Sequence, residues 1–351
     1  MAVSTASKMF ALVLLSVIGG VLFVLMRYDG STGDAEAVGE VITVEIPEGA
    51  TANDVGEILT DAGVLDSPLT FQAVTRVDAR AGQIQPGTYE LPAGMETGEI
   101  LDRLTEGNAV PVFQVTIPEG LTVDQTLERI ADAEGSPFTA EELRDALAGV
   151  TLPAWVPNDL PEKAEPFEGL LAPDTYEFRV DVNPQDLLNR LVAETDSHME
   201  GLNIAEGEIY DTLIVASLVE REVRVPEERG TVASVIYNRL DNDQRLEIDA
   251  TVQYAHGQTG TRVLNTDTEV ESPWNTYRVS GLPPTPIAAP GEASLDAAAN
   301  PADTEFRFYV VCDFDTGEHA FAREFEQHQQ NAARYREIRE AQTGSFCDEA
   351  A

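Results

Sequence analysis

The segment Glu208–Val223, EIYDTLIVASLVEREV, constrains the fold of this chain more than any other. Nothing inside it breaks a helix, and Pro226 stops it soon afterwards. At about 100° per residue, Ile209, Leu213, Ala216 and Glu220 form one stripe, and Val215, Leu218, Val219 and Glu222 form another. A helix that is apolar on nearly every side has to be surrounded by protein, which predicts a buried central helix. That helix carries two carboxylates, Glu220 and Glu222, into the interior.

Burial gives such a carboxylate a chemical use. Desolvation disfavours the charged form and raises the pKa, which suits a general acid working near neutral pH. The competing reading is a structural ion pair with Arg221, Arg224 or Arg229. Side chains at i and i+2 point about 200° apart, so Glu220 and Glu222 cannot flank one bond as paired acids. One can act while the other braces. A second acting carboxylate would have to come from elsewhere, with Asp174 and Asp249 the candidates.

The chain has 351 residues, room for two or three domains. Its 62 acidic and 22 basic residues leave a formal net charge of -40, which repels nucleic acid and excludes that class of partner. Lys8 and Lys163 are the only lysines, a surface chemistry that speaks of environment more than mechanism. The uncharged run Met9–Met26 spans about 27 Å as a helix, enough to cross a hydrocarbon core. Lys8 precedes it and acidic residues follow Arg27. The expectation is a single-pass anchor in the cytoplasmic membrane, with residues 1–8 inside and the body extracytoplasmic. A cleaved signal peptide is the rival, but Ala35-Glu36-Ala37 lies far beyond the apolar run.

Residues 27–40 read as a linker, and an internal repeat follows. Val44-Glu45-Ile46-Pro47-Glu48-Gly49 recurs as Val115-Thr116-Ile117-Pro118-Glu119-Gly120. Each copy predicts a strand, a Pro-Glu-Gly turn and a capped helix after Thr51 or Thr122. The expected fold class is α+β: a small LysM-like subdomain over 41–110, then a larger domain over 111–340 and a tail over 341–351. Residues 136–166, with five prolines, read as a variable surface insert. Phe167–Ala172 reads as an apolar strand stopped by Pro173 and Asp174. Cys312 and Cys347 are the only cysteines; outside the cytoplasm they either form one disulfide over the tail or stay free. His198, His256, His319 and His328 show no metal-ligand spacing, and there is no P-loop, so neither a metal nor a cofactor is expected.

Beyond the central helix lie polar and aromatic loops stiffened by proline. They offer Asn238, Asp249, Tyr254, Asn275, Tyr277 and Pro283 as candidate sugar contacts, together with Asp174. Four segments in this order, ASLVEREVRVPEERGTVASVIYNRL, LEIDATVQYAHG, SPWNTYRVSGLPPTPIAAPG and GEHAFA…EQHQQN, together with EGLLAPDTY, resemble the endolytic peptidoglycan transglycosylase family (MltG, YceG-like). The resemblance runs from the apolar segment to about residue 340.

It implies a lyase that cuts the MurNAc–GlcNAc β-1,4 bond inside nascent glycan strands, leaving 1,6-anhydroMurNAc ends. It implies Glu222 as the single acid/base, Glu220 as a supporting neighbour, and penicillin-binding protein synthases as candidate partners. A non-catalytic wall-binding anchor and a water-using muramidase are the alternatives. The chain departs from the family pattern at Glu247-Ile248-Asp249-Ala250, where Gln-x-Asp-Pro is usual, and at Pro283-Pro284-Thr285, where Pro-Pro-Gly is usual.

Overall fold

The computed structural model describes residues 40–106, 111–257, 264 and 266–349. The expected membrane span at 9–26 and nearly all of the linker lie outside them. Among the described residues no helix is long and apolar enough to cross a membrane. The chain divides between Val112 and Phe113 into two compact units of mixed α and β structure.

In the first unit, strand β1 (Val41–Ile46) pairs antiparallel with β2 (Gly87–Pro92), Val41 opposite Pro92 and Ile46 opposite Gly87. Between them run helices α1 (Ala52–Asp61) and α2 (Pro68–Thr75), and α3 (Thr97–Glu106) follows. Alternation along β1 turns Val44 and Ile46 inward, onto Val55, Leu59, Phe71 and Tyr89. Thr51 starts α1 with a capping box: its hydroxyl accepts from the Asp54 N–H while Asp54 accepts from the Thr51 N–H.

The second unit repeats that opening. Strand β3 (Val112–Thr116) pairs with β4 (Thr175–Arg179), and α4 (Val123–Ala131) begins on the Thr122–Gln125 capping box. The stretch 136–166 is not the surface insert expected. It holds α5 (Ala140–Ala146), capped by Thr139 and Glu142, and sends Leu143, Leu147, Val150 and Val156 into the core. Phe167–Ala172 is also not a strand. It is a buried succession of turns, with Gly169 at φ +81° pressed against Pro286, where a Cβ would lie 2.6 Å from the ring. The left-handed glycine breaks the extended conformation that the apolar pattern suggested, and β4 begins only after Asp174.

Helix α6 (Pro184–Gly201) leads to α7 (Ile209–Glu222), the central helix. Tyr210 and every residue from Thr212 to Val219 are buried. Burying Leu213, Ile214, Val215, Leu218 and Val219 contributes on the order of 10 kcal/mol. Ser217 is satisfied inside this core: its hydroxyl donates to the Ile214 carbonyl and accepts from the Ile287 N–H. Helices α8 (Arg229–Asp241), α9 (Asp249–Ala255) and α10 (Glu292–Ala299) pack round α7. The unit closes with the hairpin β5 (Phe308–Val311) and β6 (His319–Ala322), then α11 (Phe325–Ala341). Cys312 and Cys347 form a disulfide that returns the tail to this hairpin, where Phe346 is buried beside Cys312 and Ala320.

Candidate active site

The last turn of α7 sends its two glutamates to different places. Glu220 accepts hydrogen bonds from the Ser294 hydroxyl at 2.7 Å and the Gly291 N–H at 3.3 Å. It thereby caps the start of α10, whose own N-cap, Gly291, has no side chain to do so. Position 291 has no room for one, because a Cβ there would collide with the Glu119 carboxylate. Arg221 donates to the Gly120 carbonyl, and Arg229 donates to Ser294. Two of the three arginines expected as ion-pair partners, Arg221 and Arg229, thus have other acceptors.

Glu222 faces a cluster of titratable groups. The Tyr309 hydroxyl of β5 donates to its Oε2 at 3.0 Å, and the Ala250 N–H in the first turn of α9 lies near enough to act on the same carboxyl. Asp249 stands beside it, holding the Tyr277 hydroxyl at 2.7 Å. Burial raises the Glu222 pKa; the Tyr309 hydrogen bond pulls it down, Asp249 pushes it up, and His319 and the Ala250 N–H pull it down again. The net direction is upward, toward a carboxyl that keeps its proton. Its place at the C-terminal end of α7 adds to that, since the helix dipole there disfavours an anion. Burial and the neighbouring Glu222 also hold the Tyr309 phenol well above its usual range, so it serves as a donor. Ala250 stands where the family pattern has proline, and a proline would bring no N–H to this carboxylate.

Other expected residues brace this cluster. The Asn238 amide donates to the carbonyls of Thr304 and Phe306, at 2.8 and 2.9 Å. Its neighbour Arg239 donates to the carbonyls of Arg307 and Leu246, at 2.6 and 2.7 Å, and lies over the Phe308 ring. Together they fix the chain entering β5, and with it Tyr309. Asn275 is fully buried; it donates to the carbonyls of Thr268 and Val270 and accepts the Tyr277 N–H. Pro283 is buried two residues before Thr285, whose hydroxyl accepts from the Trp274 indole.

Two expected residues belong elsewhere. Asp174 is exposed and lines a cavity of about 550 Å³ with Glu119, Glu194 and His198; Glu222 does not line it. Tyr254, toward the far end of α9, donates to Glu168 Oε2 at 2.9 Å.

Glu168 is a buried carboxyl that sequence reasoning placed only within a motif. It is 3% exposed, accepts the Val123 N–H at 3.1 Å, and is pushed up to about 7 by burial, against the pull of Tyr254. It lines a cleft of about 700 Å³ with Gln125, Lys163, Tyr254 and Trp274. Glu228, on the turn before α8, was also passed over. It takes the His319 ring nitrogen at 2.6 Å and the His319 N–H at 2.8 Å, and the His319 ring meets Tyr309 edge-on at 5.2 Å. The two members fall in separate motifs, Glu228 in VPEERG and His319 in GEHAFA, and nothing in the sequence joined them.

With this geometry in view, the YceG-like family profile matches residues 44–334. The chain belongs to the YceG-like family. It is 31% identical over 309 residues to an endolytic murein transglycosylase of Bacillus subtilis, covering 84% of both chains. It is 28% identical to one from Streptococcus pneumoniae, where the match takes in 84% of this chain and 58% of that longer protein. A crystal structure of a YceG-like protein from Listeria monocytogenes superposes with a TM-score of 0.53 at 30% identity. It covers 83% of this chain and 99% of that one. The family supplies a common reason for the buried α7 helix and for the motifs that converge on its last turn.

Proposed function

We propose that this YceG-like protein is an endolytic peptidoglycan lytic transglycosylase. It cleaves the MurNAc–GlcNAc β-1,4 bond within nascent glycan strands, leaves 1,6-anhydroMurNAc ends and so limits strand length during wall assembly. The observation that carries the reading is Glu222. It is a carboxyl whose pKa is raised by desolvation and which is oriented by Tyr309, in a family whose relatives are named for this reaction.

The chemistry follows from one carboxyl. Glu222 gives its proton to the glycosidic oxygen as the bond to C1 breaks, which frees GlcNAc with a hydroxyl. The resulting carboxylate then takes the proton of the MurNAc 6-hydroxyl as that oxygen bonds to C1. The proton balance returns Glu222 to its starting state and no water is consumed. A second carboxylate in the position of a nucleophile is not required, in keeping with the divergence of Glu220 from Glu222. Asp249, anchored by Tyr277, is placed to favour positive charge developing near C1 and to keep the proton on Glu222 until it is needed.

The apolar run 9–26, long enough to cross a hydrocarbon core, supports an anchor that holds the enzyme at the outer face of the cytoplasmic membrane, and the LysM-like first unit contacts glycan. The Cys312–Cys347 disulfide supports export, since such bonds persist in oxidising compartments. Penicillin-binding protein synthases, which make the strand being cut, are the proposed partner class. Mass spectrometry of peptidoglycan digested by the full chain tests the reaction: 1,6-anhydroMurNAc ends are expected. Reducing MurNAc ends would convert the assignment to a muramidase, and intact strands would leave a wall-binding protein.

A further inference from the structure

We infer that His319, clamped by Glu228, is a positioning residue for Glu222 that acts through Tyr309. The inference rests on the reading of Glu222 as the acid. Glu228 grips His319 at two points, ring nitrogen and backbone N–H, so one carboxylate sets both the orientation of the imidazole and its position on β6. Both side chains are nearly sealed from solvent, at 6% and 11% exposure. The ring they fix stands at 83° to the Tyr309 ring, whose other neighbour is Phe321 with centroids 6.2 Å away. His319 and Phe321 also meet each other, at 6.1 Å, so the three rings form one cluster on the same face of the hairpin, with the Tyr309 hydroxyl on Glu222.

A purely structural tie between the turn before α8 and β6 is the competing account. A buried pair of this kind contributes little net stability, because desolvating both groups offsets their attraction. Its geometric consequence is more specific. Tyr309 is on β5 and Glu222 at the end of α7, 87 residues apart in sequence, and their contact depends on how β5 is presented. The clamp fixes that presentation from the β6 side, while Asn238 and Arg239 fix it from the α8 side.

The groups acting on Glu222 come from several elements. They are Tyr309 from β5, His319 from β6, and Asp249 with the Ala250 N–H from α9. Tyr277 sits behind Asp249, and Arg239 of α8 acts on Tyr309. The Tyr309 hydrogen bond favours the Glu222 carboxylate, so losing it leaves a weaker acid that keeps its proton to higher pH.

The test is glycan cleavage across pH by the full chain and its Tyr309→Phe, His319→Gln, Glu228→Gln and Tyr309→Phe/His319→Gln variants. Each single variant is expected to lower kcat by about tenfold, the scale of one charged hydrogen bond, with KM within about twofold. The alkaline limb of the rate profile should move to higher pH in each. The double variant should be no slower than Tyr309→Phe alone, because His319 acts through that ring.

Multiplying effects in the double variant would overturn the inference. So would a His319→Gln enzyme with a lowered Tm but unchanged kcat and limb. If His319→Gln fails to fold, Glu228→Gln decides alone, since its single amide oxygen can hold only one of the two His319 nitrogens while volume is preserved. A Glu222→Gln enzyme that still cleaves would instead remove the acid assignment, and that variant reads it separately.

Discussion

Glu220 and Glu222 leave the same helical turn and meet opposite fates. Glu220 reaches backbone and hydroxyl donors at the start of α10 and works as a cap, where a negative charge is welcome. Glu222 reaches a phenol and one N–H in a crowded interior beside another carboxylate, where a negative charge is resisted. Their difference is in what surrounds the oxygens, because residue type, helix and approximate depth are shared. A carboxylate that caps contributes stability; one kept from ionising costs stability and gains the ability to donate a proton.

The largest test of this contrast is Glu222→Gln. The amide keeps the shape and can still accept from Tyr309, but it has no proton to give. Cleavage should fall by about 10² to 10⁴, the usual contribution of a general acid, with a Tm equal to or above the parent. Turnover of purified glycan strands and a thermal melt measure both halves. Full activity in this variant would end the division of labour.

Much of that division was legible in the sequence. An all-round apolar helix predicted burial, and the i,i+2 spacing predicted divergence, because both follow from helical geometry alone. The two Pro-Glu-Gly repeats and their Thr51 and Thr122 caps were equally local and equally readable. The partners were not. Tyr309 and His319 approach Glu222 and Glu228 across 87 and 91 residues, a relation that no periodicity encodes. Asn238 and Asn275 looked like readers of sugar hydroxyls, yet backbone carbonyls claim their amides. Glu168 was hidden because the turns at Phe167–Ala172 passed for a strand.

Glu168 extends the comparison to a third carboxyl and gives it a pH dependence. Its folded pKa, about 7, lies above the usual carboxylate range because it is buried. Between the unfolded and folded values the folded state therefore binds the extra proton, and stability falls as pH rises through that window. The contribution is fully present below the unfolded pKa and gone above about 7, and amounts to roughly 3 kcal/mol. Glu168→Gln cannot lose a proton and can still accept from Tyr254 and Val123. Denaturant melts at acid and at mildly alkaline pH should show the parent losing this amount and the variant losing less. Parallel losses in the two proteins would mean that Glu168 is not the group responsible.

The smallest expected effect belongs to Glu220→Ala, and it has two opposing parts. Removing the carboxylate deprives the Gly291 N–H and the Ser294 hydroxyl of their acceptor, a loss on the scale of a missing N-cap, about 1–2 kcal/mol. Glu119 responds in the other direction. Its pKa is raised by burial and then by the Glu220 charge, so deleting Glu220 relieves a like-charge repulsion. The net loss should be near 1 kcal/mol, a Tm drop of about 2–4 °C for a unit of this size. Below the transition, cleavage should stay within about threefold of the parent, because the Tyr309 and Ala250 contacts to Glu222 are untouched. A Glu220→Ala enzyme that folds with a near-native Tm but no longer cleaves would exchange the roles of the two glutamates, making the cap the acid.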